Sequence, residues 1–139
     1  MSYAGTQTAL VSSKKAIWAG RIISALPILF LLADALGKLW RPLPAAVVEG
    51  TTKVGWSVSA IPLIGATLLV SVILYAIPRT SVLGAILLTG YLGGAVATNA
   101  RVGNPLFGYI LAPVYVGVFV WGGLFFRDRR VRALIPWND

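Results

Sequence analysis

Asp34 and Lys38 stand four residues apart in the run FLLADALGKL (30–39), so a helix through it carries a carboxylate and an ammonium on one face, with Arg41 following at i+7. That spacing supports two chemistries. In one, acid and base form an i, i+4 ion pair that lets both charges sit among apolar neighbours. In the other, Asp34 is an acid or base with Lys38 beside it, and the pair moves a proton or orients a substrate. A second polar set follows at Tyr91, Ala95 and Asn99, an i, i+4, i+8 stripe, with Arg101 two residues beyond it. The sequence contains no cysteine and no histidine. Thiolate nucleophiles, disulfides, iron–sulfur ligation and imidazole chemistry are therefore excluded, and no metal site is expected.

The elements that position these groups follow from composition. The 139 residues are 58% hydrophobic and 12% charged, with a mean hydropathy of +0.83. A water-soluble domain carries about 25% charged residues, so this chain belongs in a bilayer. A helix crossing about 30 Å of hydrocarbon needs about 20 mostly apolar residues. Uncharged windows of that length run over 54–78, 80–100 and 102–126, bounded by Lys53, Arg79, Arg101 and Arg127. A further span over 17–40 contains Arg21, Asp34 and Lys38. Arg21 and Lys38 are near enough to its ends to snorkel, which leaves Asp34 as the costly residue at about 2.5–3.5 kcal/mol. The acid and lysine that interrupt the segment argue against a cleaved signal peptide.

The expected architecture is all-α, an integral-membrane four-helix up-down-up-down bundle with spans at about 17–40, 54–78, 80–100 and 106–126. A mobile tail is expected over 1–16 and a basic tail over 127–139. Lys14, Lys15, Arg21, Arg79, Arg127, Arg129, Arg130 and Arg132 fall on one side, against Lys38, Arg41, Lys53 and Arg101 on the other. Because basic residues are retained in the cytoplasm, both termini are expected there, in a multi-pass protein of the inner (plasma) membrane. The net charge of +8 then reports topology and attraction to membrane lipids, with no nucleic-acid partner.

Further detail can be read inside the spans. Pro27, Pro62 and Pro113 are expected to bend their helices. Trp18, Trp40, Trp56, Tyr75, Tyr109 and Trp137 fall where an interfacial aromatic belt belongs. Gly90, Gly94 and Ala97 form a smooth stripe, read as a packing seam inside the bundle, and Arg101 continues its line. Placed by depth, Asp34, Lys38, Asn99 and Arg101 converge on one pocket beneath the loop 41–53, with Glu49 in its lid.

The segments LTGYLGGAVATNAR (88–101), NPLF (104–107), PVYVG (113–117) and WGGL (121–124), with FLLADALGKL (30–39), resemble the DoxX-like family of small membrane proteins. The resemblance implies a four-helix membrane fold. Relatives commonly carry histidine where this chain has Asn99, a side chain that hydrogen-bonds but does not titrate. The family's namesake is a small membrane subunit of a thiosulfate–quinone oxidoreductase. The resemblance thus implies a small subunit, or a quinone-pocket component, of a membrane redox assembly whose other subunits would be its partners. No cofactor would be held covalently. A quinone would be bound by hydrogen bonds and aromatic packing, with Tyr91, Tyr115, Asn99 and Asp34 as the polar groups available to its head. The alternative is a small membrane enzyme that isomerises or ring-opens a hydrophobic small molecule with Asp34 as acid or base. A channel or carrier is disfavoured by the absence of repeats.

Overall fold

A computed structural model describes residues 3–134, with side chains from Lys14 onward; Trp137 lies outside the described residues. All regular structure among them is helical. The elements are α1 (Tyr3–Leu39), α2 (Ala45–Lys53), α3 (Ile61–Ala76), α4 (Ser81–Arg101), α5 (Ala112–Arg127) and α6 (Arg129–Leu134). A 3-10 turn, Val58–Ala60, leads into α3, and a π-helical turn, Leu106–Ile110, leads into α5. Four segments are long and apolar enough to cross a bilayer: Lys14–Leu39, Val58–Ala76, Ser81–Arg101 and Leu106–Arg127. They agree with the four windows read from the sequence to within a few residues at each end. Helix α1 begins at Tyr3, through the segment expected as a tail. Adding turns to an existing helix avoids the cost of nucleating one, which accounts for the extension.

Two of the three prolines do not bend anything. Pro62 and Pro113 occupy the first turns of α3 and α5, where the missing N–H has no partner to lose; only Pro27 lies within a helix. The loop 41–53 is also more ordered than expected, since most of it forms α2.

Helix α1 packs on α3 and α5, and α4 packs on the same two, which closes a ring of four. Its core draws Leu31 and Ala35 from α1, Leu68, Val72 and Tyr75 from α3, Leu88 and Leu92 from α4, and Val120 and Leu124 from α5. In lipid, helices associate through close packing and internal hydrogen bonds rather than through hydrophobic burial. Both act at the end where α3 meets α4. A Cβ at Gly84 would stand 2.1 Å from the Tyr75 backbone nitrogen, and one at Gly123 would stand 2.9 Å from the nitrogen of Ser24, so glycine alone permits these approaches. Tyr75 is fully buried. Its hydroxyl donates to the Val120 carbonyl at 2.6 Å and lies 3.0 Å from Ser24 Oγ. Arg127 Nη2 donates to the Tyr75 carbonyl at 3.0 Å, and its guanidinium lies 4.8 Å from the Tyr75 ring centre. Tyr75 is therefore a core residue and not part of an interfacial belt, because two other helices, α1 and α5, supply partners for its polar tip.

The expected packing seam is corrected too. Gly90, Gly94 and Ala97 are exposed, and a Cβ at Gly90 or Gly94 would meet nothing within 4 Å. The close contacts use Gly20, Gly65, Gly84 and Gly123 instead.

Candidate functional site

Away from Tyr75, α1, α3 and α4, together with α2, border a cavity of about 690 Å³. Helix α1 contributes Asp34 and Lys38. Their ion pair closes at 2.5 Å between Lys38 Nζ and Asp34 Oδ2, with the lysine side chain 12% exposed and the aspartate 40%. Gly65 on α3 makes room for this arrangement, since a Cβ there would stand 2.7 Å from Lys38 Cβ. The lysine stem is thus held against α3 while the carboxylate keeps an open face.

Helix α4 presents Gly90, Tyr91, Gly94, Ala95, Thr98 and Asn99 to the cavity, one helical face at i, i+1, i+4 and i+5 spacing. Helix α3 adds Leu63, Ile64 and Thr67. Helix α2 covers the end with Ala46, Val47, Gly50 and Thr51, followed by Val54 and Trp56. It rests on α1 through Val47, whose Cγ2 would be 3.5 Å from a Cβ at Gly37. Glu49, expected in the lid, is on α2 but is exposed and does not line the cavity.

Two matching helix ends frame the mouth. Helix α2 stops at Gly55, with φ +95°, where Gly55 N–H donates to the Thr52 carbonyl and Trp56 N–H to the Thr51 carbonyl. Helix α4 stops at Gly103, with φ +73°, and repeats the pattern with Gly103 to Ala100 and Asn104 to Asn99. Both are left-handed glycine caps. Arg101 joins them: its Nη2 donates to the Val54 carbonyl at 3.2 Å, and a Cβ on Gly55 would lie 2.6 Å from that nitrogen.

Of the six residues singled out in the sequence, Asp34, Lys38, Tyr91 and Asn99 line the cavity. Arg101 is at the hinge of the lid and not in the wall. Tyr115 is on α5, 48% exposed, and outside the cavity. No residue of α5 lines the cavity, so Tyr115 is excluded together with its helix. Asn99 is largely engaged within its own helix end. Its Nδ2 donates to the Ala95 carbonyl at 2.9 Å, and its Oδ1 accepts from Asn104 Nδ2 at 2.7 Å. Thr67 likewise bonds its own helix, to the Leu63 carbonyl. Tyr91 and Trp56 have no such engagement among the described residues and bring a hydroxyl and an indole N–H to the wall. Trp56 and α2 are the site elements that sequence reading missed. The period of the lid face, from Ala46 through Gly50 and Val54, was the available signal.

Among the described residues no three acidic side chains cluster as a metal site. The arrangement suits a lipophilic molecule with a polar head: mostly small or apolar walls, a charge pair, and donors from Tyr91 and Trp56. A volume of this size falls in the usual range for small-molecule sites.

Four apolar helices, three of which border the cavity, define a multi-pass membrane protein. The profile of the DoxX-like family matches residues 22–123, from the middle of α1 to late α5, and the chain belongs to that family. Comparisons with curated proteins and with solved structures gave no match.

Proposed function

We propose that the protein is a small integral-membrane subunit of a redox assembly, and that its cavity receives the head of a quinone. In this reading the helices run up-down-up-down through the inner (plasma) membrane with both termini cytoplasmic, as the eight-to-four division of basic residues favours. The α2 end then faces outward. The observation that carries the reading is the meeting of the Asp34–Lys38 pair, Tyr91 and Trp56 on one cavity within the bundle. The donor set fits a quinone head, whose two carbonyl oxygens accept hydrogen bonds from a hydroxyl, an ammonium and an indole N–H. Bound there, a quinone would supply two-electron redox chemistry. Tyr91 and Lys38 orient its oxygens, the apolar wall excludes water, and Asp34 holds Lys38 in place.

Titration of purified protein with a short-chain ubiquinone, read by quenching of tryptophan fluorescence, tests this. Saturable quenching is expected, weakened by Tyr91→Phe and Asp34→Asn and unchanged by Tyr115→Phe. Non-saturating quenching, identical in all variants, overturns it. A reporter fused after Asp139 is expected to read cytoplasmic, and one in the loop 41–53 the opposite side.

A second reading has one observation in its favour. Asp34 is the more exposed member of its pair and faces the cavity, as an acid or base acting on a hydrophobic small molecule would. Such an enzyme works alone, whereas a redox subunit co-purifies with dehydrogenase or oxidase components.

A further inference from the structure

The walls of the cavity are unequal. Helices α3 and α4 touch closely at Gly84 and Tyr75. Further along, Gly90, Gly93 and Gly94 would each accept a Cβ with nothing within 4 Å, so this face of α4 is open while Leu92 between them stays in the core. Leu63 on the facing part of α3 lines the cavity and yet is 72% exposed; Thr67, one turn on, is also exposed. No residue of α5 contributes to the wall. The end that would face water is treated differently. Helix α2 lies across it, seated on Gly37 through Val47 and tied to the end of α4 by Arg101.

From this contrast we infer that the cavity fills sideways from the bilayer, through a slot between the outer parts of α3 and α4, and that α2 closes the water side with Arg101 as its clasp. The ligand class follows from the two phases the slot connects. It is an amphiphile dissolved in the membrane, with a hydrogen-bond-accepting head that reaches Tyr91 and Lys38 and an apolar body that remains among Leu63, Ile64 and lipid. A lipophilic molecule is concentrated in the bilayer, so a lateral entrance meets it where it is abundant and avoids transfer through water. Glycine at 90 and 94 keeps the slot open, a role that explains why the α4 stripe is smooth although no helix packs on it. The inference rests on the proposed function for the existence of a ligand, but its geometry can be tested without one.

The sequence contains no cysteine, so a single introduced one carries a label at a known place. Gly94→Cys and Ala95→Cys, each carrying bimane, report from the cavity wall. Val118→Cys, on the exposed face of α5, and Lys53→Cys, on exposed α2, serve as lipid and water references. Two positions in the wall keep the test readable if one label disturbs folding. The proteins are reconstituted in phosphatidylcholine vesicles and exposed either to doxyl-labelled phosphatidylcholine or to iodide. Quenching of the Gly94 and Ala95 labels is expected to match Val118 with doxyl lipid and to fall severalfold below Lys53 with iodide. Arg101→Met is expected to raise iodide quenching at Gly94 severalfold while leaving doxyl quenching as it was. Iodide quenching equal to that at Lys53 in the parent, with or without doxyl quenching, would overturn the proposal, because the cavity would then open to water. Absence of quenching by either agent would overturn it as well, by showing a sealed chamber. Failure of ubiquinone to bind would count against the proposed function and leave these quenching results standing, which separates the two.

Discussion

At the Tyr75 end of the bundle, the glycine of α4 is a contact point; at the α2 end the glycines of the same helix border empty space. Gly84 and Gly123 let backbones approach so closely that any side chain would collide, and the buried Tyr75 hydroxyl ties three helices together there. Gly90 and Gly94, on the same helix as Gly84, border a cavity with nothing beside them. One short bundle thus divides its labour along its length. Packing that holds the helices is concentrated at one end, so the other can stay open without unfolding. Identical residue types in one helix serve opposite purposes, and only the neighbouring helix decides which.

The sharpest test sets two substitutions in α4 side by side. Gly84→Leu is expected to prevent folding or to cost more than about 3 kcal/mol, since overpacking against rigid backbone exceeds the usual penalty for an inserted side chain. Gly94→Leu is expected to leave the melting temperature in detergent unchanged or raised, since it fills space. Equal destabilisation by both, in thermal unfolding followed by circular dichroism, would erase the distinction between the ends.

A smaller effect is expected from Tyr75→Phe, which removes the hydroxyl but keeps the ring. Two buried partners, the Val120 carbonyl and Ser24 Oγ, lose its hydrogen bonds, at a cost of about 1–3 kcal/mol. Loss of stability below a few tenths of a kcal/mol would show that the Tyr75 end is held by shape alone.

At the α2 end, Asp34→Leu combined with Lys38→Met is expected to be neutral or stabilising while quinone titration is lost. A buried ion pair often contributes little over apolar residues of similar volume. Retained binding in a stable double variant would reduce the pair to a means of tolerating charge in the membrane.

The smallest effect belongs to the Tyr75 end, at the junction of α5 and α6. Asp128 caps α6, accepting from Arg130 N–H at 2.9 Å, and its carboxylate pairs with the Arg130 guanidinium, which also reaches the Pro78 carbonyl. The Arg130 side chain holds the Asp128 carboxyl below the usual carboxylate range. With a folded pKa below the unfolded one, its contribution is present above the ordinary aspartate value near 4 and is lost as pH falls through the lower folded value. Asp128→Asn is therefore expected to shift stability slightly at neutral pH and not at all in strong acid. A variant effect that grows with acidity would contradict this sign.

Much of the fold was legible because a bilayer makes simple demands. Charge-free windows bounded by Lys53, Arg79, Arg101 and Arg127 mark three spans almost by themselves, and helical period then places Tyr91 above Asn99 on one face. Asp34 and Lys38 were legible as a pair for the same reason. The glycines were not. A GxxxG spacing says that a helix face is smooth, but a smooth face can meet another helix or border a void, and only the partner distinguishes them. Gly20, Gly65 and Gly84, each standing alone, and Gly123 of the Gly122–Gly123 pair form no helical repeat, although they make the tightest approaches. The prolines misled through position: within an apolar window they suggest kinks, and the structure begins helices at Pro62 and Pro113. Arg101 was placed at the right end, but its reach to Val54 depends on α2 being a helix with a glycine stop, a long-range fact that local spacing does not contain.

The ion pair of α1 has a consequence for how the chain enters the membrane during synthesis. Helix α1, which carries the carboxylate, leaves the ribosome before α3 and α4, so the helices that later wall the cavity do not yet exist. A bare aspartate at that moment would oppose insertion by about 2.5–3.5 kcal/mol. With Lys38 one turn away on the same helix, α1 brings the counterion of Asp34 into the membrane with it. The charge that later lines the cavity can thus be installed before there is a cavity.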